Sequence, residues 1–212
     1  MSEFSLHCFV ESGNAYKAAL MLELCGCDWS PVLVPFFAGA TRTPEWRDSV
    51  NEMGEAPVLE HKGADGMVRL TQSGVILDYL AGLTGQFGPA DEQERREILR
   101  WILFDNHKFT SYYATLRFLY GLQKTGETPV TEWLRGRARA AYGIVDKHLA
   151  ASDFLVGGRP TIADLSLAGY AYYSEPTGID RAAEFPAVEA WAARIAALPG
   201  WKPPAALMPA QA

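Results

Sequence analysis

Apolar and β-favouring side chains crowd residues 4–10 and stop at Glu11-Ser12-Gly13, which predicts a short strand ending in a turn. From Asn14 the period changes. Ala15, Ala18, Ala19 and Leu22 fall on one helical face, and Gly26 suits the position just past the helix end. Residues 29–34 read as a second strand, and a β-α-β unit of this size implies parallel pairing through a right-handed crossover. Residues 36–52 read as a loop containing a short helix from Thr43-Pro44-Glu45, where a capping hydroxyl precedes a first-turn proline. Residues 58–61 and 67–70 read as a hairpin turning through Lys62-Gly63-Ala64-Asp65-Gly66. Val75, Ile76, Tyr79, Leu80 and Leu83 then recur at helical spacing.

Strand-like runs end there. Residues 84–90, with two Gly and one Pro, read as a linker between a mixed domain over 1–83 and a helical domain over 91–212. Asp91 and Glu94 have the spacing of a helix N-cap and its third residue, and a long helical pattern follows to about residue 122. Thr128-Pro129 starts another helix reaching about residue 150, and Thr161-Ile162-Ala163-Asp164 repeats the capping logic. Pro186 opens a last helix that stops at Pro199-Gly200, and the tail from Trp201 reads as irregular.

Composition narrows the function classes. The chain has 212 residues, 49% hydrophobic and 21% charged, which suits an ordinary globular protein of one large or two modest domains. A net charge of −6 disfavours nucleic acid or an anionic membrane as main partner. No apolar run approaches the roughly 20 residues of a membrane helix, and no secretory signal is visible, so a cytoplasmic setting is expected. Cys8, Cys25 and Cys27 form no CxxC pair, and His7, His61, His107 and His148 form no HxxxH pair, so no metal site is expected. The three cysteines read as small buried residues.

The stretch from Gly54 to Leu80 carries the most chemistry. Pro57 has no N–H to donate and belongs at a strand start, and X-Pro is the bond type for which a cis peptide is cheap. A cis bond there would turn the backbone groups of Ala56 outward to pair with an extended peptide. Ser73 would open a helix whose free N–H groups attract a carboxylate. Together these features suggest a socket for a small, acidic, peptide-like molecule.

Four segments, Ser12-x-Asn14-x-x-Lys17, Asn51-x-x-Gly54-x-x-Pro57-Val58-Leu59, Leu70-Thr71-Gln72-Ser73 and Thr161-Ile162-Ala163-Asp164-Leu165, occur in register with this element order. In this the chain resembles the glutathione S-transferases over nearly its whole length. The resemblance implies an α/β thioredoxin-like N-terminal domain, an all-α C-terminal domain, glutathione as co-substrate and a homodimer. The family usually shows Asn-Pro, a basic or amide residue two positions before the cis-proline, and Glu before the helix-opening Ser; here those positions hold Asn51-Glu52, Glu55 and Gln72.

The resemblance assigns roles residue by residue. Ser12 would donate a hydrogen bond to the glutathione sulfur and favour the thiolate, which is the nucleophile; the competing reading is a plain helix cap. Asn14 would be a second donor, whereas Lys17 reads as solvated. Ala56, beside Pro57 and Glu55, would pair its backbone with the cysteinyl unit. Gln72 and Ser73 would hold the γ-glutamyl end, and Arg42 would approach the glycyl carboxylate. Some of Phe104, His107, Tyr112 and Tyr113 would line an apolar pocket for a small hydrophobic electrophile, the rival reading being core packing. The expected activity is conjugation, dehalogenation or peroxide reduction by a serine-type transferase. Two alternatives stand beside it: a non-catalytic glutathione-binding or interaction protein, and a glutathione-dependent disulfide oxidoreductase.

Overall fold

A computed structural model describes residues 2–64 and 66–210. Asp65 of the predicted hairpin turn, and Met1, Gln211 and Ala212 at the ends of the expected domains, lie outside the described residues. The chain forms two compact units: one runs to Gln86 and takes in the chain from Leu198, and the other is Phe87–Ala197.

The first unit is built on a four-stranded sheet in the order β2-β1-β3-β4. Strand β1 (Phe4–Cys8) pairs in parallel with β2 (Trp29–Leu33), placing Leu6 beside Pro31, and antiparallel with β3 (Val58–Gly63), placing Leu6 beside Leu59. Strand β4 (Gly66–Thr71) completes the hairpin with β3, from Val58 opposite Thr71 to Gly63 opposite Gly66. Pro31, which cannot donate to a ladder, sits in an edge strand, where the loss of an N–H is tolerated. Helix α1 (Gly13–Leu24) makes the crossover between the parallel strands, α2 (Pro44–Ser49) follows the Thr43 cap, and α3 (Ser73–Thr84) follows β4. This is the thioredoxin-like arrangement expected above.

Helix α1 departs from the one-sided helix that its spacing suggests. Residues Ala15 through Leu22 are all fully buried, because α1 packs against β1, α3 and the C-terminal α10 (Pro204–Leu207). Lys17, expected to be solvated, is therefore 0% exposed. The tail is also ordered into the first unit rather than the helical one. Tyr16 Oη donates to Lys202 O at 2.8 Å, Lys202 Nζ pairs with Glu23 Oε1 at 2.6 Å, and Val10 N donates to Pro209 O at 3.0 Å. Leu207 and Met208 are buried there.

The second unit contains α4 (Glu92–Phe104), α5 (Thr110–Leu116), α6 (Pro129–Leu149), α7 (Ile162–Leu167), α8 (Arg181–Glu184) and α9 (Pro186–Ala196). The long helix expected to residue 122 runs its full length, but widens into π-type turns at Asp105–Phe109 and Arg117–Leu122. At the first widening the fully buried Asp105 accepts from Ser166 Oγ at 2.6 Å and from Thr110. Asp164 acts as the capping-box residue at the start of α7. Its carboxylate accepts from Thr161 N, Leu155 N and the indole N–H of fully buried Trp191, each at 2.9 Å.

Candidate functional site

The first unit brings three starts of structure to hand: the start of α1, the turn before β3, and the start of α3. Ser12 is the N-cap of α1, 6% exposed, and its Oγ accepts from Ala15 N at 3.1 Å. The capping reading is thus present, and it leaves the catalytic role open. Accepting that bond uses an oxygen lone pair, and the hydroxyl hydrogen remains to donate. Asn14, half-buried in the first turn, has a side chain with no partner among the described residues.

The turn before β3 is fixed from inside. Asn51 is buried, accepts from Met53 N at 3.1 Å through Oδ1, and donates through Nδ2 to the carbonyl of Glu55 at 2.9 Å. Gly54 has φ +68°, and a Cβ there would lie 2.9 Å from the Thr41 carbonyl oxygen, so glycine is required on both counts. The Ala56–Pro57 peptide is cis. Ala56 is half-buried, and its N–H and C=O have no partner among the described residues.

Helix α3 begins without a cap. Gln72 holds the cap position at φ 66°, and its side chain makes no capping hydrogen bond to the first turn. The first bond of the helix runs from Ile76 N to Gln72 O at 3.0 Å, so the amides of Ser73, Gly74 and Val75 precede it without acceptors among the described residues. Ser73 is the first helical residue rather than the cap; it is 6% exposed and its hydroxyl has no partner among the described residues. The Gln72 amide turns outward instead. Its Nε2 donates to Glu55 Oε2 at 2.8 Å and to Met53 Sδ at 3.3 Å. Two of the three positions that depart from the family pattern, Glu55 and Gln72, are bonded to each other.

Beside this turn a concavity of about 560 Å³ is lined by Arg47, Asn51, Met53, Arg69, Gln72 and Val75 among others. Arg69 reaches across the hairpin to Glu60 Oε1, with Nε at 3.0 Å and Nη2 at 2.8 Å. Partial burial alone would raise the Glu60 carboxyl. The Arg69 hydrogen bonds and nearby His7 outweigh it, and the carboxyl lies below its ordinary range. Arg42 is exposed at the end of a short 3₁₀ turn, separate from these contacts. Sequence reasoning missed what Asn51 does, although its motif spacing to Gly54 was visible. It also missed the concavity, which assembles residues distant in sequence.

The four aromatic candidates of the second unit do not share one wall. Phe104 packs edge-on against Trp101 at 5.8 Å, and His107 is exposed. Tyr112 meets Trp133 at 5.7 Å, whereas adjacent Tyr113 is 3% exposed and meets buried Tyr142 at 5.3 Å. Tyr113 thus belongs to the aromatic core, and the pocket assignment is withdrawn for it.

The cysteines are poor nucleophiles. Burial pushes the Cys8 thiol up to about 12. Cys25 and Cys27 are half-buried rather than buried; burial raises both, Cys27 to about 11. Among the described residues no cluster of His, Cys, Asp and Glu suits a metal ion, and no helix is long and apolar enough to cross a membrane.

Comparison with known proteins finds similar sequences and structures over both units. Residues 2–82 match the family model for the glutathione S-transferase N-terminal domain, and residues 111–199 match that for the C-terminal domain. A maleylacetoacetate isomerase of Rhizobium meliloti is 32% identical over 190 residues, covering 86% of each chain. A glutathione S-transferase crystal structure from Pseudomonas fluorescens superposes with TM-score 0.87 at 30% identity, covering 96% of this chain and 100% of that one. A second Pseudomonas fluorescens structure, a glutathione transferase family member with two glutathione bound, has TM-score 0.80 at 26% identity, covering 94% of this chain and 90% of that one.

Proposed function

Because the chain belongs to the glutathione S-transferase family, we propose that it is a cytosolic serine-type enzyme that binds glutathione and activates its thiolate. The observation that carries this reading is the Ser12 hydroxyl, held by its cap to Ala15 with a hydrogen left to donate. Placed against the sulfur of a bound thiol, that donor and the positive start of α1 both favour the thiolate.

The N–H and C=O of Ala56, next to Pro57 and without partners among the described residues, fit antiparallel pairing with the cysteinyl unit. The uncapped start of α3 at Ser73 fits the γ-glutamyl carboxylate. Arg42, exposed and cationic, is assigned to the glycyl carboxylate, and Asn14 to a second donor at the sulfur. Of the aromatic set, Phe104, His107 and Tyr112 keep exposed surface for a small hydrophobic electrophile.

A relative named for isomerising maleylacetoacetate, whose maleyl group is an activated double bond, puts addition to such a bond first among the reactions to assay. Disulfide exchange through a protein thiol is disfavoured because burial raises the Cys8, Cys25 and Cys27 thiols. A homodimer is part of the proposal. Leu99 and Leu103, four residues apart on α4 and 46% and 60% exposed, offer apolar surface for it, and a monomer by sedimentation would remove that element.

Calorimetric titration with glutathione tests the binding step, with saturable binding below millimolar ligand expected. No binding at millimolar glutathione would overturn the reading. Activated alkenes, aryl halides and a peroxide then test turnover, with Ser12→Ala expected to lower it about 100-fold. Binding with no turnover on any of these would leave the non-catalytic alternative.

A further inference from the structure

The start of α3 is an incomplete anion site with a carboxylate at its lip. Three first-turn amides lack acceptors among the described residues, and the Ser73 hydroxyl, 6% exposed, also lacks a partner there. Such a helix start, on a helix of 12 residues, favours a negative group. One residue earlier, Gln72 grips the Glu55 carboxylate at 2.8 Å. A carboxylate in that place repels a bare anion, so the two features conflict if the ligand is a simple anion. They agree if the ligand carries a carboxylate and an ammonium on the same carbon.

From this we infer that Glu55 makes the α3 subsite selective for a zwitterionic α-amino acid end, by accepting from the ligand's ammonium while the helix start takes its carboxylate. The inference rests on the proposed glutathione site and names a specificity-determining residue within it. Glu55 is held at both ends. Asn51 Nδ2 bonds its carbonyl at 2.9 Å, Asn51 is itself only 5% exposed, and Gln72 holds Oε2. The other carboxylate oxygen, Oε1, has no partner among the described residues and is open to a donor. Gln72 suits this arrangement better than an acid would. Its amide donates to Glu55, whereas a second carboxylate would repel it. The positive φ of Gln72, 66°, accompanies a side chain that does not cap its own helix.

The test compares two ligands on two proteins. Glutathione and its des-amino analogue, glutaryl-cysteinylglycine, differ only in the ammonium. The parent chain is expected to bind glutathione about tenfold more tightly than the analogue, as a charge-assisted hydrogen bond warrants. In Glu55→Gln that preference is expected to fall to within about twofold, mainly through weaker glutathione binding. Glu55 is exposed, so the variant is expected to fold, and circular dichroism checks it. A preference that survives in Glu55→Gln, or is missing in the parent chain, overturns the inference while leaving the glutathione site standing. Binding of neither ligand overturns both.

Discussion

Gln72 Nε2 donates to Glu55 Oε2 at 2.8 Å, so two residues 17 positions apart in sequence act as one polar unit at the start of α3. The bond is exposed, and in the free protein it contributes little stability. Its consequence is positional. If Gln72 serves to hold Glu55, Gln72→Ala is expected to weaken glutathione binding about threefold, less than Glu55→Gln does. The double variant is expected to be no weaker than Glu55→Gln alone. Calorimetry on the four proteins checks this, and strictly additive losses would show that the two side chains act separately.

The thiols give a prediction with a defined pH window. Burial raises Cys8 from 9.0 to about 12 and Cys27 from 9.0 to about 11, so both stay protonated in the folded chain near neutral pH. Cys8 is expected to resist iodoacetamide at about pH 8 in the native protein and to react once denaturant is added. The linked effect on stability follows from the raised values. The contribution is fully present below pH 9.0 and is lost as pH rises through the folded values toward about 12. Denaturant midpoints that stayed flat or rose over that window would contradict the assignment, as would rapid native labelling of Cys8.

Asp164 tests what holds the helical unit. Removing its carboxylate leaves four buried donors, the amides of Leu155 and Thr161, the Thr161 hydroxyl and the Trp191 indole, without their acceptor. Asp164→Ala is expected to cost about 3 kcal/mol and to lower the melting temperature by about 10 °C. Asp153→Ala, at an exposed carboxylate 3.8 Å from Arg194, is the control and is expected to change stability by about 0.5 kcal/mol or less. Equal melting temperatures for the two variants would remove Asp164 from this role.

The order of elements was legible because strands and helices impose different spacings, and Ser12 and Asp164 were legible because caps obey local rules. What was not legible depends on neighbours distant in the chain. Lys17 reads as a surface residue on a one-sided helix, and only the C-terminal α10 and the packing of α3 show why it is buried. The π-type turns at Asp105–Phe109 and Arg117–Leu122 leave helical spacing almost unchanged, so the pattern shows one unbroken helix. Tyr112 and Tyr113 look equivalent until Trp133 and Tyr142 separate their environments. Gln72 and Glu55 stand out in the sequence only as departures from the family pattern, because nothing in either position signals the bond between them.

The central claim, that Ser12 favours the thiolate of bound glutathione, is tested most directly by titrating the ultraviolet absorbance of that thiolate on the protein. With the parent chain the bound thiol is expected to ionise at least one pH unit below the roughly 8.5 of an unperturbed cysteine thiol. With Ser12→Ala it is expected to return most of the way, with glutathione affinity changed by less than about threefold. The same ionisation in both proteins, or a parent chain in which the bound thiol ionises like a free one, would contradict the account.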